Sequence, residues 1–200
     1  MHKLCIALLC GTLALVSATA EAQTNVRVRG TITALDGKEL AVKSLEGKDL
    51  QVELAENATV SYPKALTFAD LQPGVGLGTT ATQRPDGTLV ALEVHVFPPE
   101  RGVSSPGHRP LDSQPGATMT NATVSTMAEA ANGRELTLTY PGGSQKLLVP
   151  EGVPIVMPVP ADRSFLKPGE YVSVTANVGA DGRMTAQRIQ VSKDGVKPPQ

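Results

Sequence analysis

Aromatic side chains are scarce in this 200-residue chain: three tyrosines, three phenylalanines and no tryptophan, 3% of the residues. Single-stranded nucleic acid is held by stacking bases on aromatic rings over a basic groove, so binding of nucleic acid is not expected. Charge of one sign is lacking too. Lys plus Arg number 18 and Asp plus Glu 19, a formal net charge of −1, which excludes a polycation drawn to nucleic acid or anionic lipid. The two cysteines, Cys5 and Cys10, both lie in the first ten residues. No apolar run reaches the roughly 20 residues that a membrane-spanning helix needs. Catalytic signatures are missing as well: there is no His-Glu-x-x-His, no His-x-His and no Gly-x-Ser-x-Gly. No enzyme and no cofactor is therefore expected.

What is present begins with an address. Lys3 precedes an apolar run from Leu4 to Val16, and Ala18-Thr19-Ala20 and Ala20-Glu21-Ala22 both offer small-x-small cleavage patterns. Residues 1–22 read as a secretory signal peptide. Cleavage after Ala22 removes both cysteines, one lysine and one acid. The exported chain then has no disulfide to rely on and no membrane span. Its expected location is the periplasm of a Gram-negative cell.

The rest of the chain is duplicated. Leu71-Gln72-Pro73-Gly74 returns as Leu166-Lys167-Pro168-Gly169, and Asp86-Gly87 as Asp181-Gly182, both 95 positions on. Gly37-Lys38-Glu39-Leu40 matches Gly133-Arg134-Glu135-Leu136, and Gly47 matches Gly143, at an offset of 96. Ordered landmarks at one spacing mark an internal repeat. Two copies are expected at 25–97 and 117–192. Between them, 98–117 holds five prolines and three glycines and reads as an extended linker. The tail 193–200 is expected to fray.

Each copy reads as β-structure. Val26, Val28, Gly30 and Ile32 alternate with Arg27, Arg29, Thr31 and Thr33, the period of a strand with one buried face. Asp36-Gly37 and Glu46-Gly47 signal turns. Leu40 and Val42, then Leu50, Val52 and Leu54, continue the buried face; Leu136, Leu138, Leu147 and Val149 do so in the second copy. Thr67-Phe68-Ala69-Asp70 has the form of a capping box before a short helical turn. A fourth strand is expected from Val75 to about Thr82 and from Glu170 to Asn177. A fifth buries Leu92, Val94 and Val96, or Ile189 and Val191. The fold class is thus all-β: two tandem five-stranded OB-like or SH3-like barrels joined by a proline-rich linker.

The elements Val28-Arg29-Gly30-Thr31-Ile32, Asp36-Gly37, Leu71-Gln72-Pro73-Gly74 and Asp86-Gly87-Thr88-Leu89-Val90-Ala91 resemble the bacterial exported domain-of-unknown-function family numbered 5666. The resemblance covers both copies, with Thr126 standing where Gly30 is expected. It implies a small β-fold and an envelope location, and brings no catalytic residue with it.

Few residues invite chemistry. Glu93 and His95 share one face of the fifth strand and are the candidate metal ligands, with His108 on the nearby linker; a tight site would need three or four clustered donors. Met119, Met127, Met157 and Met184 are scattered and read as gap-fillers. Gly74-Val75-Gly76-Leu77-Gly78 lacks the following helix of a phosphate loop. Gly76 and Gly78 instead thin one face of the fourth strand, through barrel curvature or as a groove for a ligand or partner. Arg27 and Arg29 form an outward pair. The expected function is a non-catalytic binding protein of the envelope, with an envelope protein or a small ligand as partner. A small-molecule or metal-ion binding protein is the alternative.

Overall fold

The computed structural model describes residues 24–111 and 114–199. The leader and its cysteines lie outside the described residues. No helix among these residues is long and apolar enough to cross a membrane. The elements are twelve strands: β1 (Thr24–Asp36), β2 (Glu39–Ser44), β3 (Asp49–Ala65), β4 (Gly76–Gln83), β5 (Leu89–Val96), β6 (Gly107–Pro110), β7 (Ala117–Ala130), β8 (Gly133–Tyr140), β9 (Gly143–Pro150), β10 (Ile155–Ala161), β11 (Tyr171–Val178) and β12 (Met184–Val191). Three single 3-10 turns, at Phe68–Asp70, Pro99–Arg101 and Arg163–Phe165, join them.

Five strands close into a barrel, here the first ring. β1 pairs with β2, β2 with β3, β3 in parallel with β12, β12 with β11, and β11 with β1. Five of the other seven strands repeat this cyclic order: β7 pairs with β8, β8 with β9, β9 in parallel with β5, β5 with β4, and β4 with β7. We call these the second ring. Each ring therefore takes three strands from one half of the sequence and two from the other. Two successive barrels, each closed by one copy, would have paired β1 with β4. Its partner is β11 over eight rungs instead. The five expected strands of each copy occur in the expected order, with β10 added in the second; the tandem closure does not hold.

The physical cause is the length of β3. It continues without a break through 17 residues, up to about 56 Å of chain at 3.3 Å per residue. That carries the chain out of the first ring before the helical turn at Phe68 can reverse it. Its last six residues pair with β10, and Pro63 faces Pro158, its own counterpart 95 positions on. The pairs on either side, Tyr62 with Val159 and Lys64 with Met157, exchange under the same offset. The Pro63–Pro158 rung thus lies on an approximate two-fold axis relating the rings. Proline cannot donate to a ladder, and such residues keep exposed strand edges from recruiting others.

Alternation places the core as expected over most strands. Val28, Ile32, Leu40, Val42, Val52 and Leu54 pack with Val172, Val174, Ile189 and Val191 in the first ring. Leu77, Leu89, Val94, Leu136, Leu138 and Leu147 pack together in the second. Each such side chain contributes about 1.5–3 kcal/mol by leaving water. Tyr62 stacks on Phe165 with centroids 5.5 Å apart at the first ring's margin. Met127 and Met157 pack against the second core and Met184 against the first.

Leu92 departs from its expected burial and is 41% exposed. The β4–β5 register shifts between Thr80 and Ala81, which leaves Leu92 without an opposing residue. Such a bulge turns a side chain to the other face, so Leu89 and Ala91 are buried instead. The same shift recurs between Thr175 and Ala176.

The counterpart of Gly30 is also corrected. Gly30 faces Val172 and Ala122 faces Leu77, and Leu77 and Val172 are themselves 95 apart. Ala122, not Thr126, therefore stands in Gly30's place. The reason is a longer hairpin: Leu35 pairs with Leu40, but Met127 reaches Leu136. Gly30 is required because the β1–β2 ladder extends to a Gly30–Ser44 rung, where a Cβ would collide with the Lys43 carbonyl.

The segment 98–117 is more than a spacer. Its strand β6 pairs with β7, and Val103 packs onto Gly76. The tail likewise turns back, with Lys193 N–H donating to the Val196 carbonyl at 3.1 Å and Lys197 lying over the Tyr171 ring.

Candidate functional site in the cleft between the rings

The outward faces of the two rings look toward each other across β3 and β10. In the first ring, Arg27, Thr175 and Arg188 form one rung and Arg29, Ser173 and Gln190 the next. In the second ring, Met119, Thr80 and Glu93 form one rung and Asn121, Gly78 and His95 the next. Each first-ring residue stands at the position of its second-ring counterpart. The walls meet: the partly exposed Arg27 interacts electrostatically with both Glu93 and His95.

Glu93 is buried at 8% exposure, and its carboxylate accepts a hydrogen bond from Thr80 Oγ1 at 2.9 Å. Opposite it, the Arg27 guanidinium is held below its ordinary pKa. Partial burial is the main cause, the neighbouring Arg29 and Arg188 add to it, and Glu93 opposes it. Arg29 and Arg188 stand close enough to Arg27 to act on it, while Glu93 is the one carboxylate acting on it, which makes this wall of the cleft electropositive.

His95 lies across Gly78 in the space a Cβ would occupy, with Asn121 Oδ1 beside it and its ring edge-on to Phe97, centroids 5.2 Å apart. Its Nδ1 is enclosed and finds no hydrogen-bond partner among the described residues. Burial, and secondarily Arg27, push its pKa down to about 4, so at neutral pH it is an uncharged packing group. The space above Gly76 and Gly78, for which the sequence allowed either barrel curvature or a groove, is filled from within by Val103 and His95. The thin face of β4 serves the chain's own packing.

The metal candidates are brought together in part. Glu93 and His95 share a face as expected. His108 instead shares the face of Thr120, whose Oγ1 lies 2.8 Å from its Nδ1, and that is the face opposite Asn121 and His95. Among the described residues no group of three or more His, Cys, Asp or Glu could hold a metal ion.

A cavity of about 250 Å³ opens at the first-ring end of the cleft. It is lined by Ala58, Thr59, Val60 and Ser61 of β3, by Pro158, Pro160 and Ala161 of β10, by Arg188, and by Pro98, Glu100 and Arg101 of the strap leaving β5. The strap is anchored. Phe97 N–H donates to the Gly76 carbonyl at 2.9 Å, Arg101 N–H to the Pro98 carbonyl at 2.9 Å, and Asn121 Nδ2 to the Ser104 carbonyl at 2.8 Å. Sequence reasoning missed this site. It needs β10 and an ordered strap, and the prolines of both segments argued against structure there.

Residues 156–190 match the model of a family described as a domain of unknown function, DUF5666. The stretch runs from β10 to β12 and supports the resemblance drawn from the sequence. No curated protein and no solved structure matches the chain.

Proposed function

We propose that this protein is a non-catalytic binding component of the bacterial cell envelope, exported by the leader at 1–22, with the cleft between its rings as the working surface. One observation carries this reading. Counterparts in the two cores keep their chemistry, as in Leu77 and Val172, Val94 and Ile189, or Ala81 and Ala176. Counterparts in the cleft change theirs: Glu93 against Arg188, His95 against Gln190, Asn121 against Arg29. A scaffold kept only for stability has no use for opposite charges at equivalent places. An asymmetric, electropositive cleft suits an acidic partner or ligand.

Strand addition is the less favoured mode, because ring closure leaves few edges; β6 alone among the described strands pairs on one side only. A metal at Glu93 and His95 is the weaker alternative, since the Glu93 carboxylate already serves Thr80. The test is capture from envelope extract on immobilised wild type and on a variant carrying Arg27→Glu and Arg188→Glu. The reading expects a component that elutes with salt and is lost on charge reversal. Identical retention by both proteins, or none by either, sinks it.

A further inference from the structure

We infer that the cavity between the strap and β3 is a binding site for a small organic anion, a carboxylate or phosphate ester attached to an apolar body. The inference deepens the cleft reading and rests on it. Arg101 approaches from the strap and Arg188 from β12, with Glu100 the single carboxylate in the lining. Arg27 stands near enough to Arg188 to be felt by it, which adds to the positive field. Guanidinium groups suit oxyanions because their donors form a planar fork.

The other walls decide what carries the charge. Pro98, Pro158 and Pro160 offer apolar rings with no amide hydrogen. The volume would hold about eight waters at roughly 30 Å³ each. It is too large for an inorganic ion and somewhat below the roughly 300–1,000 Å³ of drug-sized pockets. The strap's anchors hold the Arg101 backbone in place before any ligand arrives, which lowers part of the ordering cost of binding.

The experiment is calorimetric titration of the full exported chain with benzoate, phenyl phosphate, inorganic phosphate and neutral benzamide. Benzoate or phenyl phosphate should bind at least tenfold more tightly than inorganic phosphate or benzamide, and whichever is tighter assigns the head group. Arg188→Gln and Arg101→Gln should each weaken that ligand several-fold, and rising salt should weaken it further. Arg101 sits on an exposed turn outside both rings, so its variant keeps the test open if Arg188→Gln disturbs folding. Equal binding of benzamide, unchanged affinity in Arg101→Gln, or no binding of either organic anion overturns the inference. Charge-dependent capture from extract alongside that failure leaves the cleft reading standing, so the two fail separately.

Discussion

The two rings close with the same strands in the same order, yet the first is zipped further than the second. β12 meets β3 over six rungs, interrupted where Ala186 faces Leu54 and Arg188 faces Thr59. The second ring makes two rungs between β5 and β9 and two between β5 and β10. The two missing rungs fall at Val149 and Pro154, which occupy the places of Leu54 and Thr59. A proline at Thr59's position has no N–H to donate, so Glu93 cannot pair as Arg188 does. One half keeps β3 whole; the other breaks the same strand into β9 and β10. A duplicated fold can thus carry one uninterrupted and one punctuated copy, and the uninterrupted one forces strands to be exchanged between halves.

The largest way to break the comparison is to cut it. If the rings are interlocked, residues 24–111 and 114–200 expressed apart should each lack a cooperative unfolding transition, because each holds only three-fifths of one ring and two-fifths of the other. Mixed, they should recover dispersed amide resonances and a shared midpoint. A first half that folds alone, with β1 paired to β4, refutes the exchange.

The comparison also shows what was legible beforehand. Turns and part of the core were: Gly37, Gly47, Gly142 and Gly182 all adopt positive φ, and alternation located the buried faces of β1, β2, β8 and β9. Exchange between halves was not, because a strand that closes on its own copy and one that closes on the other copy have the same sequence pattern. β10 and β6 were hidden by Pro158, Pro160 and Pro110, which propensity counts against strands. Leu92 was misplaced because a bulge shifts register without a marker residue. Of the site, Glu93 with His95 and Arg27 with Arg29 were singled out as separate pairs; the meeting of the two pairs depends on topology, and the cavity depends on β10 and on a segment read as linker.

The next effect separates the rings by acid. His95 belongs to the second ring and Gln190 holds its place in the first. Its folded pKa of about 4 lies below the ordinary 6.5, so the unfolded chain binds a proton more readily across that window. Stability from this group is complete above pH 6.5 and falls as the pH drops towards 4. A shift of that size corresponds to at most about 3 kcal/mol. Urea midpoints measured from pH 7.5 to 4 should fall in the wild type, and His95→Gln should remove that part of the slope. An unchanged slope would mean that the imidazole is not held neutral.

The smallest effect probes how each ring holds the bend beyond its third strand's paired stretch. In the first ring β3 leaves β12 at 55–58 without a proline, and Arg163 secures it: Nη2 donates to the Ala55 carbonyl at 2.8 Å and to the Glu56 carbonyl at 3.4 Å. In the second ring Phe68 stands in Arg163's place, packed on the core with the Arg134 guanidinium 5.4 Å from its ring centroid, and the prolines fix the bend themselves. Arg163→Ala should therefore cost about 1–2 kcal/mol, the net worth of a charged hydrogen bond to carbonyls that water can partly reach. Amide exchange should quicken at Asn57, Ala58 and Thr59 and stay unchanged at Gly152 and Val153. Arg163→Lys should restore only part of the loss, since a compact, strongly hydrated ammonium on a flexible stem replaces the planar, less hydrated guanidinium. If exchange quickens equally in both stretches, the bends are coupled through the β3–β10 ladder, and the rings differ in sequence but not in how they are held.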